Sequence, residues 1–161
     1  MLNRLMLEMT KFYAGDPHSV QHFTKVHAFC RYIGQMTGLN SETLFTLEAA
    51  AYNHDIGIKP AREKYGSCEG PLQEKEGPGA ARPMLEKLGF DAGTIDRVCW
   101  LIAHHHTYDP VDGLDHRILI EADFLVNLFE GSQSRQAIQT AYEKMFATDA
   151  GKELCREMFG L

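Results

Sequence analysis

Basic residues are in short supply: 16 Lys and Arg face 22 Asp and Glu, a formal net charge of −6. That balance argues against a general binder of polymeric nucleic acid or of a membrane surface, which normally presents a basic patch. No run of about 18 apolar residues occurs, so no membrane-spanning helix is expected. Cysteine is limited to Cys30, Cys68, Cys99 and Cys155, widely scattered and with no Cys-x-x-Cys pair. This speaks against a zinc ribbon or a thioredoxin-like site, and reduced thiols in a cytoplasm are the default reading. No segment alternates apolar and polar residues with β-branched enrichment, so strands are not expected. There is no internal repeat and no low-complexity tract. The stretch Met1–Met6 lacks a small-residue cleavage site and reads as the start of an amphipathic helix, not a signal peptide.

What remains is an ordinary globular composition, 44% hydrophobic and 24% charged over 161 residues, enough for one domain with a sizeable core. Helical periodicity runs through Leu2–Tyr13 and again from about His18 to Thr37, where Val20, Phe23, Val26, Phe29 and Ile33 share a face. Ser41 is the expected N-cap of a third helix reaching Asp55. Pro60–Gly79 is polar and rich in Gly and Pro. It reads as a long loop with at most a short helical piece around Ala61–Tyr65, a natural lid. Ala80–Leu88 follows, then a helix capped by Thr94 and running to about His105, then Asp115–Phe129, Ser134–Phe146 and Asp149–Met158. The expectation is an all-α bundle of about six to eight helices.

Eight histidines are more than such a chain usually carries. His54-Asp55 ends an apolar helical run, and a neutral imidazole beside a carboxylate is costly to bury. A divalent cation would relieve that cost, since both groups are good ligands. Other ligand-type side chains fall on separate helices: His22 in the second, the run His104-His105-His106 at the end of the fifth, and Asp123 amid Leu119, Ile120 and Phe124. A bundle brings such residues to one central point. His27 and His116 read as surface residues. His18, four residues before His22, reads either as the solvated start of a helix or as a neighbour supporting His22.

Taken together, His22-x-x-Lys25-Val26, His54-Asp55-Ile56-Gly57, the later histidine pair and Ala122-Asp123 resemble the HD-domain metal-dependent phosphohydrolase superfamily. The likeness covers about residues 16–130 of one HD-type domain spanning 1–161, with helices 134–158 packing on that core. It implies an all-helical core and a centre of one or two divalent ions, drawn from Fe, Mn, Ni, Co or Mg. By motif, His22, His54, Asp55 and Asp123 match the minimal ligand set, and His104 and His105 match the later pair, with His106 as a register alternative. Glu76 stands where the family often has a linker histidine, and a carboxylate there could bind a hard ion. Ile58 departs from members that carry Lys directly after His-Asp-Ile-Gly, leaving Lys59 one residue late.

Such a site would hydrolyse a phosphate ester of a small metabolite or nucleotide through a metal-activated water. Asp55, Lys59 and Arg62 are the candidate catalytic and phosphate-contacting residues, with Lys64 and Lys75 flanking in sequence. The implied partner is a small phosphorylated molecule, with no membrane and no polymeric nucleic acid. Apolar positions on the first and last helices are compatible with a homodimer. Two other readings stand beside this one: an HD-fold di-iron oxygenase, and a non-catalytic nucleotide-binding module.

Overall fold

Short polar side chains mark most helix starts in this chain, and each satisfies a backbone N–H that the first turn leaves unpaired. The computed structural model describes residues 1–161. It consists of α1 (Leu2–Phe12), α2 (Pro17–Met36), α3 (Ser41–Asn53), α4 (Ile58–Tyr65), α5 (Gly70–Leu88), α6 (Ala92–Ile102), α7 (Gly113–Glu130), α8 (Arg135–Met145) and α9 (Asp149–Phe159), with no strand. Asp16 caps α2 by accepting from Ser19 N at 3.1 Å, with Pro17 ready-set in the first turn. Asn40, not Ser41, caps α3, and Asp91, not Thr94, caps α6. In both cases the residue one to three places earlier has the extended backbone a cap requires, while the expected residue is already helical.

The segment expected as a lid loop is helical: Pro60 lies in α4, and Gly70–Gly79 forms the first half of α5. Its Gly and Pro have other uses than turns. Pro71 sits in the first turn, where a missing N–H costs nothing. Gly57 lets the α4 entrance touch α5: a Cβ on it would lie 2.9 Å from Gly77 N and closer still to the Gln73 carbonyl oxygen, while a Cβ on Gly77 would meet the Ile102 side chain of α6. Pro78 and Pro83 are tolerated inside α5, and only residues 66–69 separate α4 from α5.

Helix α3 is the hub, packed by α1, α2, α6 and α7. Its second half, Thr46 through Asn53, is buried throughout, and Ala49-Ala50-Ala51 lets neighbours approach closely. A helical segment buried on every side belongs in the centre of a bundle. Two buried acids away from the hub are fully paired. Asp115 takes a two-pronged pair from Arg97 at 2.7 and 2.8 Å. Glu121 accepts from Ala147 N, Thr148 N and the Thr148 hydroxyl, which fastens the α8–α9 corner onto α7. His116 is fully buried and His27 largely so, against the surface positions expected for both. His116 Nε2–H donates to the His104 carbonyl at 2.8 Å and its Nδ1 accepts from Asp112 N at 3.2 Å, so the loop after α6 is stitched to α7. No helix is long and apolar enough to cross a membrane.

Candidate metal centre

Four helices deliver side chains to one point. His22 comes from the first half of α2, His54 from the cap position ending α3, Asp123 from the middle of α7, and His105 and His106 from the turn after α6. Ligand atoms of His22, His54 and Asp123 lie within 4.8 Å of one another, as do those of Asp55, His105 and His106. Asp55 joins the two groups. Its Oδ2 is 3.4 Å from His22 Nε2 and 3.3 Å from His54 Nε2, while its Oδ1 is 3.5 Å from His105 Nε2.

The orientation of the rings follows from their other nitrogens. His54 Nδ1–H donates to Ala51 O at 2.8 Å and His105 Nδ1–H to Ile102 O at 2.7 Å, both to carbonyls left free where a helix ends. His22 Nδ1–H donates to Glu130 Oε2 at 2.9 Å. Each ring therefore presents Nε2 inward. His22 Nε2 and His54 Nε2 face each other at 3.2 Å, with Asp123 Oδ1 3.1 Å from the former. His105 Nε2 is buried with no hydrogen-bond partner. Converging imidazole nitrogens, two carboxylates and an orphaned buried nitrogen make a donor set that fits a divalent cation.

The electrostatics agree. Burial alone would lower the pKa of His54, but Asp55 and Asp123 outweigh it and hold it well above the ordinary value. His22 is raised in the same way, burial being outweighed by Asp123 and Asp55. Burial would raise Asp55 and Asp123, yet the neighbouring imidazoles keep both far below the usual carboxylate range. Such a field attracts positive charge of any kind, protons or a metal ion. His106 goes the other way, lowered to about 4 by burial and then by His105, so it stays a neutral nitrogen donor.

Two of the expected ligands are not brought to this point. Glu76 faces away on α5, where its Oε1 accepts from the Tyr65 hydroxyl at 2.7 Å and pairs with Lys64 at 3.0 Å. His104 stacks on Trp100 with centroids 4.0 Å apart and donates Nδ1–H to Trp100 O. His106 takes the inward place instead. Lys59 and Arg62, expected at the catalytic site, line an adjoining cavity and not the centre itself: Lys59 Nζ lies 5.2 Å over the Phe12 ring, and Arg62 Nη2 is 3.4 Å from Cys68 Sγ.

A cavity of about 210 Å³ opens over the centre, lined by His22, Asp55, His106 and Asp123 and by Gln73, Asn127 and Glu130. A second, of about 470 Å³, shares His18, Ser19 and Ile58 with it and carries Phe12, Lys59 and Arg62. The sequence reading missed Gln73, Asn127, Glu130 and Tyr13, whose hydroxyl donates to the Asp55 carbonyl at 2.6 Å. Spacing could have found Glu130, since seven residues after Asp123 is two turns along the same face of α7. Gln73 was hidden inside the supposed loop.

The family model described as HD domain matches residues 19–140, and the chain belongs to the HD domain family. No curated protein and no solved structure matches it.

Proposed function

We propose that this HD-domain chain is a metal-dependent phosphohydrolase that cleaves a phosphate ester of a small metabolite or nucleotide. The observation that carries the reading is the pair of ligand groups sharing Asp55 beneath a small polar cavity. His22, His54 and Asp123 would hold one divalent ion, His105 and His106 a second, with Asp55 offering one oxygen to each. When bound, such ions acidify a water and neutralise the phosphoryl oxygens. Hydrolysis breaks the ester P–O bond, with water supplying the new oxygen on phosphorus, and releases an alcohol and inorganic phosphate.

The chain's own residues do the rest. The cavity of about 210 Å³ has a single apolar wall residue, Ile58, and suits a phosphate group. Lys59 and Arg62 have no carboxylate partner within ion-pair distance, so both are free to meet an anionic substrate in the adjoining cavity. Arg62 gives the better planar match to phosphate. Phe12 supplies an apolar surface beside them for the remainder of the molecule.

The test is release of inorganic phosphate from a panel of small phosphomonoesters and nucleotides, with Mn²⁺, Fe²⁺, Co²⁺, Ni²⁺ or Mg²⁺ added, for the wild type and Asp123→Ala. Metal-dependent release that disappears in the variant supports the reading. No release with any metal, or equal release by the variant, contradicts it. The shared Asp55 also favours a second reading, an oxygen-using di-iron centre, for which oxygen uptake with two bound irons and no phosphate release would be the sign.

A further inference from the structure

Glu130 ends α7 and has no part in the ligand groups, yet it is well placed beside them. Its side chain is only 13% exposed, and both oxygens are engaged. Oε2 accepts from His22 Nδ1 at 2.9 Å, and Oε1 accepts from Lys25 Nζ at 2.6 Å. Lys25 is the basic residue of the His22-x-x-Lys25-Val26 motif, on the same face of α2 one turn after His22. His18 Nε2, which also lines the cavity, lies farther from Oε2, at 3.7 Å.

Three imidazoles point Nε2 at the centre, and two of them have Nδ1 tied to a backbone carbonyl at a helix end. His22 lies inside α2, where the carbonyls are already spent on the helix ladder, so no backbone acceptor is at hand. A side-chain acceptor must come from another helix. We infer that Glu130 is the positioning residue of this centre: held by Lys25, it fixes His22 as the Nδ1–H tautomer and aims Nε2 at the metal. The inference rests on the metal-centre reading above. It gives the motif lysine a task, which is to orient the carboxylate that orients the histidine. Carboxylates that anchor a ligating histidine in this way typically change metal affinity by about 10- to 100-fold when removed.

Lysine can only donate, which makes Glu130→Gln informative. Its carbonyl oxygen has to serve Lys25, so its NH₂ turns to His22 Nδ1. That nitrogen then becomes an acceptor and the ring proton moves to Nε2, the nitrogen that should bind metal. Removing Lys25 as well lets the amide turn round and accept from Nδ1–H again.

Mn²⁺ affinity by chelator competition, on the full chain, tests this with wild type, Glu130→Gln, Lys25→Met, the double variant and Asp123→Ala, alongside the thermal midpoint of each metal-free protein. The expected result is at least about a tenfold loss of affinity in Glu130→Gln, a small loss in Lys25→Met, and recovery of most of the affinity in the double variant. Wild-type affinity in Glu130→Gln overturns the inference while leaving the centre in place. So does a loss that the double variant deepens and that follows the metal-free midpoint, because that is a helix-bridging role only. No Mn²⁺ binding by the wild type overturns the centre and the inference together.

Discussion

His54 and Asp55 are adjacent in sequence but do different work in space. The histidine closes α3, donates to Ala51 O and aims one nitrogen at His22, while the aspartate reaches both ligand groups. Asp123 Oδ1 of α7 lies 3.1 Å from His22 Nε2 and 3.5 Å from His54 Nε2, so removing it should be severe, and Asp123→Ala is expected to lose metal binding with its far-UV circular dichroism unchanged. Arg62→Met should raise KM for a phosphorylated substrate about tenfold, the loss of one charge-assisted hydrogen bond, with a smaller change in kcat. Steady-state kinetics check the split, and an unchanged KM would remove Arg62 from the substrate site. His116 carries the pH prediction at this scale. Burial lowers its pKa below 6.5, and its Nδ1 accepts from Asp112 N, so the folded chain needs it neutral. The unfolded chain binds the proton more readily, so the stabilisation is complete above pH 6.5 and fades as pH falls below it. The gap in urea midpoint between wild type and His116→Gln should narrow between pH 7 and pH 5, and a constant gap would contradict the assignment.

At the scale of elements, the sequence carried most of the helices and misread one region for a physical reason. Amphipathic spacing located α1, α2, α3, α7, α8 and α9 to within a few residues of the observed bounds. The failure lay at 60–79, where Gly66, Gly70, Gly77, Pro71 and Pro78 were taken as punctuation, though among them Gly66 alone, left-handed at the end of α4, ends a helix. There Gly77 serves packing, because a Cβ on it would run into the Ile102 side chain of α6, and Gly57 just ahead has no room for one against the α5 backbone. Single-chain patterns do not distinguish a glycine that turns from one that makes room. Gly57→Ala should accordingly cost about 1–3 kcal/mol, read as a lower midpoint in denaturant, because the new atom meets backbone of α5 that cannot swing aside. A neutral Gly57→Ala would show that the α4–α5 contact is loose. The centre was legible to the same degree. His22 and Asp123 sit on helices whose faces the periodicity fixes, while His54 and Asp55, in the turn that ends α3, were read from their pairing at the close of an apolar run. The choice among His104, His105 and His106 was not open to that logic, because α6 stops at Ile102 and the three follow a turn, not a helical wheel. Glu76 failed for the related reason that its phase on α5 depends on a helix the sequence hid.

For the whole molecule, the centre draws on α2, α3, α7 and the turn after α6, so an ion held there would tie together parts of the chain far apart in sequence. An ion that binds only the folded chain stabilises it by about 2.7 kcal/mol at a hundredfold excess over Kd. At this length that is a rise of about 5–10 °C in Tm, expected with Mn²⁺ in the wild type and absent in Asp123→Ala. The acidic balance of the chain, −6 overall, leaves Lys59 and Arg62 as local exceptions beside the cavity. That contrast favours a small anionic substrate over an extended polyanion.

The most direct measurement is metal content by mass spectrometry on protein purified without chelator or polyhistidine tag, for the wild type and for Asp55→Ala. One to two equivalents of a divalent metal per wild-type chain are expected, with loss of metal in the variant and the same helical circular dichroism in both proteins. A wild-type chain that stays free of metal after loading with Mn²⁺ or Fe²⁺, or an Asp55→Ala chain that binds as much as the wild type, would contradict the metal-centre reading.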